Sequence, residues 1–364
     1  MTSKLSKKVL VAPLDWGLGH ASRCIPLIST LQKEGCNIVI AASGAQQYLL
    51  QREFPNLEFI TLKGYSVSYT RHKRFFSAKI LWQIPKILLR IRQEHKWIAK
   101  IVEEKKIDLI ISDNRYGLYS TKVPCVFITH QLTIKAPAAW MEKLMQRVNY
   151  RFINRFTQCW VPDFAGEKNI AGILSHPQQM PVIKTCYLGP LSRFSYKPAE
   201  VYLYKYLFVI SGPEPQRTML QNLVLEILPK LDGNIMLVLG LPEKNDTYTA
   251  SENVIIKSHL DTAALEQAFL QSEFIVSRSG YTTVMELLAL RKKAILVPTP
   301  GQTEQEYLAH RLMEQHWCYT CSQHDDLAEH IQQATTFGFE SPGFEQPLYE
   351  KVVKESLGKY CKSQ

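Results

Sequence analysis

Apolar and polar residues form two consecutive series of short strands and amphipathic helices. Short apolar runs predict buried strands, and apolar residues spaced by one helical turn predict the helices between them. Glycine or proline turns follow several of these strands. The pattern therefore predicts an α/β protein with two doubly wound domains that face each other across a cleft.

The predicted elements divide at a polar, turn-rich segment. Strands of the first half are predicted at 7–12, 37–42, 57–62, 107–112, 125–129, 158–162 and 182–188. Strands of the second half are predicted at 204–210, 235–239, 254–256, 274–276 and 294–297. Helices are predicted at 22–33, 46–53, 216–228, 262–270, 303–315 and 344–357. We therefore predict an N-terminal domain (1–190), a linker (191–203), a C-terminal domain (204–340) and a C-terminal helix (341–364).

One stretch, Ile275 to Leu288, combines a strand, a glycine turn and a helix. The turn is Arg278-Ser279-Gly280, and the free N–H groups at a helix start suit a phosphate. Glu286 shares a helical face with Thr282 and Thr283, where its carboxylate could accept hydrogen bonds from sugar hydroxyls. The stretch suits a nucleotide-sugar, although a plain βα turn with a solvated Glu286 fits it equally well.

A second glycine-rich loop follows the first strand. Gly17-Leu18-Gly19-His20 leads into a helix, but Ser22 stands where the dinucleotide fingerprint has its third glycine. His20 is a candidate general base near neutral pH, with capping or packing as the alternative. The position in a first βα unit favours function, because open α/β sheets bind ligands at the carboxyl ends of their strands.

Polar residues also follow two further predicted strands. Asp113 and His130 reach the same rim as His20 if the sheet is parallel. Either could orient a base or hold a hydroxyl, although each alone is more typical of a turn. The predicted acceptor side of the cleft consists of Gly17, Gly19, Asp113, Arg115 and His130.

A basic amphipathic segment spans Arg71 to Lys106. Lysine and arginine interleave there with large apolar residues, most densely from Phe75 to Trp82. The pattern predicts docking of residues 71–97 on an anionic membrane surface. The alternative is an ordinary helix that covers the sheet. For the part from Ile87 to Val102, this alternative is the favoured interpretation.

Composition and charge narrow the class of protein. The chain has 364 residues, 46% of them apolar, without an apolar run long enough to span a membrane. The first eight residues lack the apolar core of a signal peptide. We expect a cytoplasmic location, with peripheral attachment to the inner membrane face left open. The charge of +10 favours an anionic partner, but no nucleic-acid-binding module is recognised, so no nucleic acid is expected.

Two short motifs bear on metal binding. Cys318-Tyr319-Thr320-Cys321 has no second cysteine pair at zinc-ligand spacing and is typical of a short strand. Asp325-Asp326 stands at a predicted helix start, where a cap is expected. We therefore expect no metal ion, and no cofactor other than a co-substrate.

The second half resembles the nucleotide-sugar-binding domain of GT-B glycosyltransferases. It is most similar to glycosyltransferase family 28, typified by the peptidoglycan enzyme that adds N-acetylglucosamine to lipid I. The resemblance is specific over about Phe274 to Arg311, and residues 17–20 resemble the family's first glycine-rich loop, which ends in histidine. The resembling motif comprises Ser277-Arg278-Ser279-Gly280, Thr283, Glu286, residues 294–298 and Gln305.

The resemblance implies a GT-B fold of two Rossmann-like domains and an activity. A sugar would pass from a nucleotide-sugar, expected to be UDP-linked, to a hydroxyl of a glycan or of a lipid-linked acceptor of the cell envelope. Inversion would proceed without a metal. His20 would lie by the reacting centre, as the base or as a support for acceptor phosphates.

The resemblance also implies donor contacts. Ser279 and Gly280 would contact the diphosphate, and Glu286 would hold the ribose hydroxyls. Gln305 would bind the donor sugar, and the main chain near Leu260 would pair with uracil. The predicted donor side consists of Ser211, Gly212, Leu260, Arg278, Ser279, Gly280, Thr282, Thr283, Glu286 and Gln305.

Two departures from the family leave alternatives open. Ser211 to Pro215 replaces the glycine-rich loop of the second domain, and its two prolines lack backbone donors. The family's paired glutamines become Gln305-Glu306, which leaves the donor sugar open.

One alternative is a sugar-nucleotide epimerase that uses Asp113, Glu214 and His130 as additional acid and base groups. The other is a protein that binds the nucleotide-sugar without turnover.

Overall fold

The protein is described by a computed structural model over residues 7–65, 76–136, 138–198, 201–244, 246–344 and 348–361, with only the backbone given for 76–81. Residues 71–75 of the predicted membrane-docking segment therefore lie outside the described residues. Of the helices described, none has the length and apolarity needed to cross a membrane.

The first half forms a seven-stranded sheet in the order β3-β2-β1-β4-β5-β6-β7, in which every pairing is parallel. Its strands are β1 Lys8–Pro13, β2 Asn37–Ala42, β3 Glu58–Thr61, β4 Leu109–Asp113, β5 Cys125–Ile128, β6 Gln158–Val161 and β7 Lys184–Tyr187. Its helices are α1 Leu18–Lys33, α2 Gly44–Glu53, α3 Phe76–Lys105 and α4 Ala139–Ile153.

The second half forms another seven-stranded sheet, in the order β10-β11-β9-β8-β12-β13-β14. All its pairings are parallel except that of β10 with β11. Its strands are β8 Tyr204–Val209, β9 Ile235–Val238, β10 Thr247–Ser251, β11 Val254–Lys257, β12 Ser272–Ser277, β13 Lys293–Leu296 and β14 Tyr319–Thr320. The helices are α5 Gln216–Ile227, α6 Thr262–Leu270, α7 Tyr281–Ala289, α8 Thr303–Glu314, α9 Leu327–Ala334 and α10 Tyr349–Cys361.

The central strands are apolar over most of their length, as expected where helices cover both faces of a sheet. In β1, Val9 and Val11 join one hydrophobic cluster, and Leu10 and Ala12 join another on the opposite face. The first of these clusters also contains Leu207 of β8. The two halves therefore share a continuous core beneath the cleft.

The strand order reverses direction at one point in each sheet. In the first sheet this point lies between β1 and β4, and in the second it lies between β8 and β12. Ligands of open α/β sheets bind outside the carboxyl ends of the strands at such points. The fold therefore directs attention to the loops that follow these four strands.

Several predicted boundaries change in the structure. Helix α1 begins at Leu18 rather than Ser22, so His20 lies in its first turn. Asp113 is the last residue of β4 rather than a turn residue. The described part of the basic segment, from Phe76 to Lys105, forms one long helix, α3. Helix α4 and strand β10 were not predicted.

The C-terminal helix begins at Tyr349, five residues later than predicted, and packs against the first half of the chain. Val353 and Leu357 join the shared core. The Tyr360 hydroxyl donates to Gln158 Oε1 of β6 at 3.1 Å. Helix α10 therefore ties the end of the chain back to the first sheet.

Candidate active site

A cleft of about 810 Å³ lies between the two halves, at the carboxyl ends of both sheets. Loops from both sheets and the starts of α1, α7 and α8 line it. The predicted site residues that line it are Gly17, Gly19, His20, His130, Ser211, Gly212, Arg278, Gly280, Thr282, Thr283 and Gln305.

His20 is held by a carboxylate at the first switch point. Its Nδ1 lies 3.0 Å from Asp113 Oδ2. Because an ionised carboxylate only accepts, this contact places the proton on Nδ1 and leaves Nε2 as an acceptor. Burial and the nearby Arg23 lower the pKa of His20, against the opposing effect of Asp113. The imidazole is therefore neutral at neutral pH and carries a free lone pair.

Arg23, one helical turn after His20, neutralises the buried Asp113. Its Nε lies 3.0 and 2.9 Å from the two carboxylate oxygens, and Nη2 also bonds Oδ1. Burial raises the pKa of Asp113, but Arg23 and His20 outweigh it and hold the pKa below its usual value. Arg23 Nη2 has a second N–H and also lies 2.9 Å from His20 Nδ1, so Asp113 and Arg23 both approach this nitrogen. Asp113 is therefore ionised, and the Nδ1–H tautomer of His20 is the one that donates to it.

His130 links the two halves. Its Nε2 lies 2.7 Å from Glu304 Oε1 of α8, and Arg23 Nη1 lies 3.3 Å from its Nδ1. A guanidinium only donates, so Nδ1 accepts and Nε2–H donates to Glu304. The ring also stacks on Tyr281 of α7 at 4.0 Å. Both ring nitrogens are engaged, which suits a residue that fixes the cleft better than a free base.

The start of α7 faces His20 across the cleft. Gly280 is its N-cap, and no side chain caps the helix. The Thr282 hydroxyl donates to the carbonyl of Gly19 at 3.1 Å, which joins the first turn of α7 to the loop before His20. A side chain at residue 19 would meet this hydroxyl, since an added Cβ would lie 3.1 Å from it. The uncapped N–H groups are suited to an anion.

Comparison with known proteins agrees with this geometry. Residues 206–355 match the glycosyltransferase family 28 C-terminal domain. A UDP-N-acetylglucosamine--N-acetylmuramyl-(pentapeptide) pyrophosphoryl-undecaprenol N-acetylglucosamine transferase of Haemophilus ducreyi is 23% identical, over 84% of this chain and 81% of the relative. An uncharacterized glycosyltransferase of Methanosarcina acetivorans is 25% identical, over 82% of this chain and 79% of the relative.

A solved structure extends the likeness to the whole fold. The crystal structure of Acinetobacter baumannii MurG covers 97% of this chain and 99% of its own, with a TM-score of 0.57 at 14% identity. The chain is a GT-B glycosyltransferase with a family 28 C-terminal domain. The predicted fold and enzyme class are thereby confirmed, as is the predicted resemblance of the second half to family 28.

Three predicted donor-side residues of this glycosyltransferase, Arg278, Ser279 and Gln305, form hydrogen bonds within the loops of the second half. Arg278 donates to the carbonyls of Val297, Pro298 and Gln216 and to the Gln323 side chain. The Ser279 hydroxyl donates to the carbonyl of Gln305. The Gln305 side chain accepts from the N–H of Thr299 and donates to Gln302 Oε1. Arg278 is therefore bound by backbone carbonyls behind the cleft and by Gln323.

Five predicted site residues lie outside the cleft lining. Asp113 and Ser279 are buried directly behind it, and Leu260 belongs to the hydrophobic core. Arg115 is buried against Glu94 at 2.6 Å and donates to the carbonyls of Pro13 and Lys63. Arg115 thus joins the end of β1 to the segment after β3 instead of facing an acceptor, because the buried Glu94 carboxylate binds it.

Glu286, the fifth, is engaged by the linker. Arg193 Nε donates to its Oε1 at 2.8 Å, and Arg193 Nη1 lies 3.3 Å from the Thr262 hydroxyl. Burial raises the pKa of Glu286, although Arg193 opposes the shift. The ribose role of Glu286 stays a prediction, and in this conformation its carboxylate already has a partner.

Sequence reasoning missed four side chains of the site. Arg23 carried a signal, because its spacing of three residues from His20 places both on one helical face. Glu304 directly precedes Gln305, a predicted donor-side residue. Its partners His130 and Gln131 belong to the other half of the chain, so the sequence did not reveal its role. The contacts of Tyr281 and Arg193 also cross between distant segments, which periodicity does not reveal.

The motifs examined for metal binding serve local structure. Cys318 and Cys321 flank β14 and are buried, and burial raises the pKa of each thiol to about 12. Asp326 caps α9 by accepting from the N–H groups of Ala328 and Glu329, as predicted. Within the described residues, no group of three or more His, Cys, Asp or Glu side chains is arranged to hold a metal ion.

Proposed function

We propose that this glycosyltransferase moves a sugar from a UDP-sugar to a hydroxyl acceptor, with inversion and with His20 as the general base. The observation that carries the proposal is the pairing of His20 with Asp113 beside the uncapped start of α7. A base with a fixed tautomer and an anion-binding helix start thus meet in one cleft. These are the two elements that direct displacement at an anomeric carbon requires.

The proposed reaction is a single displacement. His20 Nε2 takes the proton of the acceptor hydroxyl while its oxygen bonds to the anomeric carbon. The bond from that carbon to the diphosphate oxygen breaks, and the electron pair leaves with the nucleoside diphosphate. Backbone N–H groups of α7 stabilise this developing negative charge. Asp113 stabilises the imidazolium formed on His20.

Support for a uridine nucleotide comes from the named substrate of the Haemophilus ducreyi relative, which is UDP-N-acetylglucosamine. The donor sugar itself is left open, because Gln305-Glu306 departs from the family pattern. The sequence shows no Asp-x-Asp motif at a strand end, so the proposed reaction uses no metal and no further cofactor.

The epimerase alternative has less support. It needs additional acid and base groups in the cleft, for which Asp113, Glu214 and His130 were the candidates. Asp113 is paired with Arg23, Glu214 with Arg217, and His130 with Glu304. Direct transfer needs only His20 among titratable side chains, and its Nε2 has no hydrogen-bond partner within the described residues.

We propose a lipid-linked acceptor of the cell envelope, reached from the inner membrane face. The Haemophilus ducreyi relative is named for a pyrophosphoryl-undecaprenol acceptor. On α4, Trp140, Leu144 and Val148 are exposed at successive turns. Trp82 of α3 is 89% exposed. Exposed apolar side chains on basic helices are typical of surfaces that dock on anionic lipid.

The donor proposal is tested by thermal unfolding with a panel of nucleotides and nucleotide-sugars. A ligand that binds the folded state raises its apparent stability. We expect uridine diphosphate compounds to raise Tm and uridine to raise it least. A panel in which no nucleoside diphosphate raises Tm contradicts the proposal.

The membrane proposal is tested by co-sedimentation with anionic vesicles at low and high salt, using wild type and Trp140→Glu. We expect salt-sensitive sedimentation of the wild type and reduced sedimentation of the variant. Equal sedimentation with neutral vesicles, or none at low salt, contradicts it.

A further inference from the structure

Two helices, α5 and α7, begin at the second switch point. A carboxylate of the chain binds the start of α5, whereas no side chain caps α7. Helix α5 follows β8, and α7 follows β12, the neighbouring strand. Ser211, Gly212 and Glu214 before α5 line the same cleft as Gly280. A diphosphate in this cleft therefore lies within reach of both helix starts.

The start of α5 already holds an anion supplied by the chain. Glu214 Oε2 accepts from the N–H of Thr218 at 3.3 Å, and Oε1 accepts from the Thr218 hydroxyl at 3.0 Å. Arg217 Nε donates to Oε1 at 2.7 Å. Desolvation raises the pKa of Glu214, but these hydrogen bonds outweigh it and hold the pKa below its usual value. A charged carboxylate thus stands where a phosphate oxygen would bind.

Arg217 differs from the other cationic side chains of the cleft. Arg23 is committed to the buried Asp113, and Arg278 to carbonyls behind the cleft. Lys135 pairs with Glu142 on the opposite wall. Arg217 is oriented by the carbonyl of Leu239 and the Gln221 side chain, which leaves Glu214 as its acidic partner in the described residues.

The partner of Arg217 is poorly secured. The Glu214 side chain is 56% exposed, whereas that of Arg217 is 11% exposed. Because the Glu214 carboxylate is already largely in contact with water, little desolvation has to be reversed when it leaves Arg217. The guanidinium would remain in place, because Leu239 and Gln221 hold its Nη1.

We propose that Glu214 is an internal anion that competes with the donor, and that the donor diphosphate displaces it to bind Arg217 and the start of α5. The inference rests on the proposed function and adds a binding residue and a built-in competitor to it. Glu214 thereby weakens diphosphate binding, and Arg217 supplies a cation for the leaving group.

The first test is calorimetric titration of UDP and uridine into wild type and Glu214→Gln. The variant keeps the side-chain shape and removes the competing charge. We expect UDP to bind about three- to tenfold more tightly, as for loss of one exposed like charge, and uridine to bind unchanged. Glu243→Gln, which removes another exposed carboxylate lining the same cleft, is the matched control, with less than a twofold change expected.

The second test removes the cation. Arg217→Gln is expected to weaken UDP binding about tenfold or more and to leave uridine binding unchanged, because a charged hydrogen bond to phosphate is lost. Arg217→Lys keeps the charge and should retain most of the affinity, and its thermal midpoint controls for folding. Equal UDP affinities for Glu214→Gln and Glu243→Gln, or for Arg217→Gln and wild type, overturn the inference. A wild type that binds no nucleoside diphosphate overturns the proposed function as well.

Discussion

Two strand–loop–helix units face each other across the cleft, and they are built for different tasks. Helices α1 and α7 both begin at a glycine N-cap without a side-chain cap. The first unit adds His20 and Arg23, which Asp113 binds from the neighbouring strand. The first turn of α7 offers backbone N–H groups and hydroxyl side chains instead. Proton transfer requires a titratable group with a fixed tautomer, whereas an uncapped helix start is enough for a phosphate.

Removal of the base should give the largest effect. We expect His20→Ala to lower kcat for transfer about 10²- to 10⁴-fold, the usual contribution of a general base. UDP binding should change less than about twofold, because donor phosphates contact the other unit. His310→Ala, an exposed histidine on α8, serves as the control. Transfer that survives intact in His20→Ala removes the role given to this residue.

A charge placed in the second unit should damage binding instead of chemistry. Gly280→Asp puts a carboxylate at the N-cap of α7, where it would cap the helix and compete with the diphosphate. We expect about tenfold weaker UDP binding and a gain of a few tenths of a kcal/mol in stability. Gly280→Ala is the control, since φ is −68° and an added Cβ meets nothing within 4 Å. Unchanged UDP affinity in Gly280→Asp would move the diphosphate away from α7.

The pH dependence should report the first unit alone. Burial and Arg23 lower the pKa of His20 below 6.5, and only its neutral form accepts a proton. We expect kcat/KM to rise with pH along one acidic limb, with a midpoint below 6.5 and a plateau at neutral pH. Because the unfolded chain binds this proton more readily, His20 should also lower stability as pH falls below 6.5. A midpoint above 6.5 contradicts the assignment.

The smallest expected difference separates two roles of Glu286. If it serves only to hold Arg193, then Glu286→Gln and Arg193→Gln should behave alike. Each should lower stability by about 1–3 kcal/mol, because one buried charged partner is lost, with similar small changes in UDP affinity. Selective loss of UDP affinity in Glu286→Gln, absent with 2′,3′-dideoxy-UDP, would instead establish the ribose contact.

The sequence predicted the strands well because buried parallel strands are continuous apolar runs. It also predicted the two glycine loops and the meeting of His20 with Asp113, since both follow from the parallel order of β1 and β4. Helix α4 was missed although Trp140, Leu144 and Val148 recur at helical spacing, and the structure shows that these three side chains face outward instead of toward a core. Strand β10 was missed because all its residues are exposed, so the usual apolar signal is weak.

The ion pairs of the site could not be predicted in the same way. Glu304 with His130 and Glu286 with Arg193 join residues that are far apart in the chain. Their pairing depends on how the two halves and the linker meet, which no local pattern records. The contacts seen in the structure therefore show which side chains of the site already have partners. Among the candidate bases, His20 is the one with a ring nitrogen left to accept a proton.

Hydrogen exchange of the wild type with and without a UDP-sugar tests the central claim most directly. The account predicts slower exchange at amides of the α7 start, residues 279–284, and of the loop and first turn at 17–21. The exposed strand β10, away from both loops, should exchange unchanged. Protection confined to one unit, or protection outside the cleft, would contradict a site built from both.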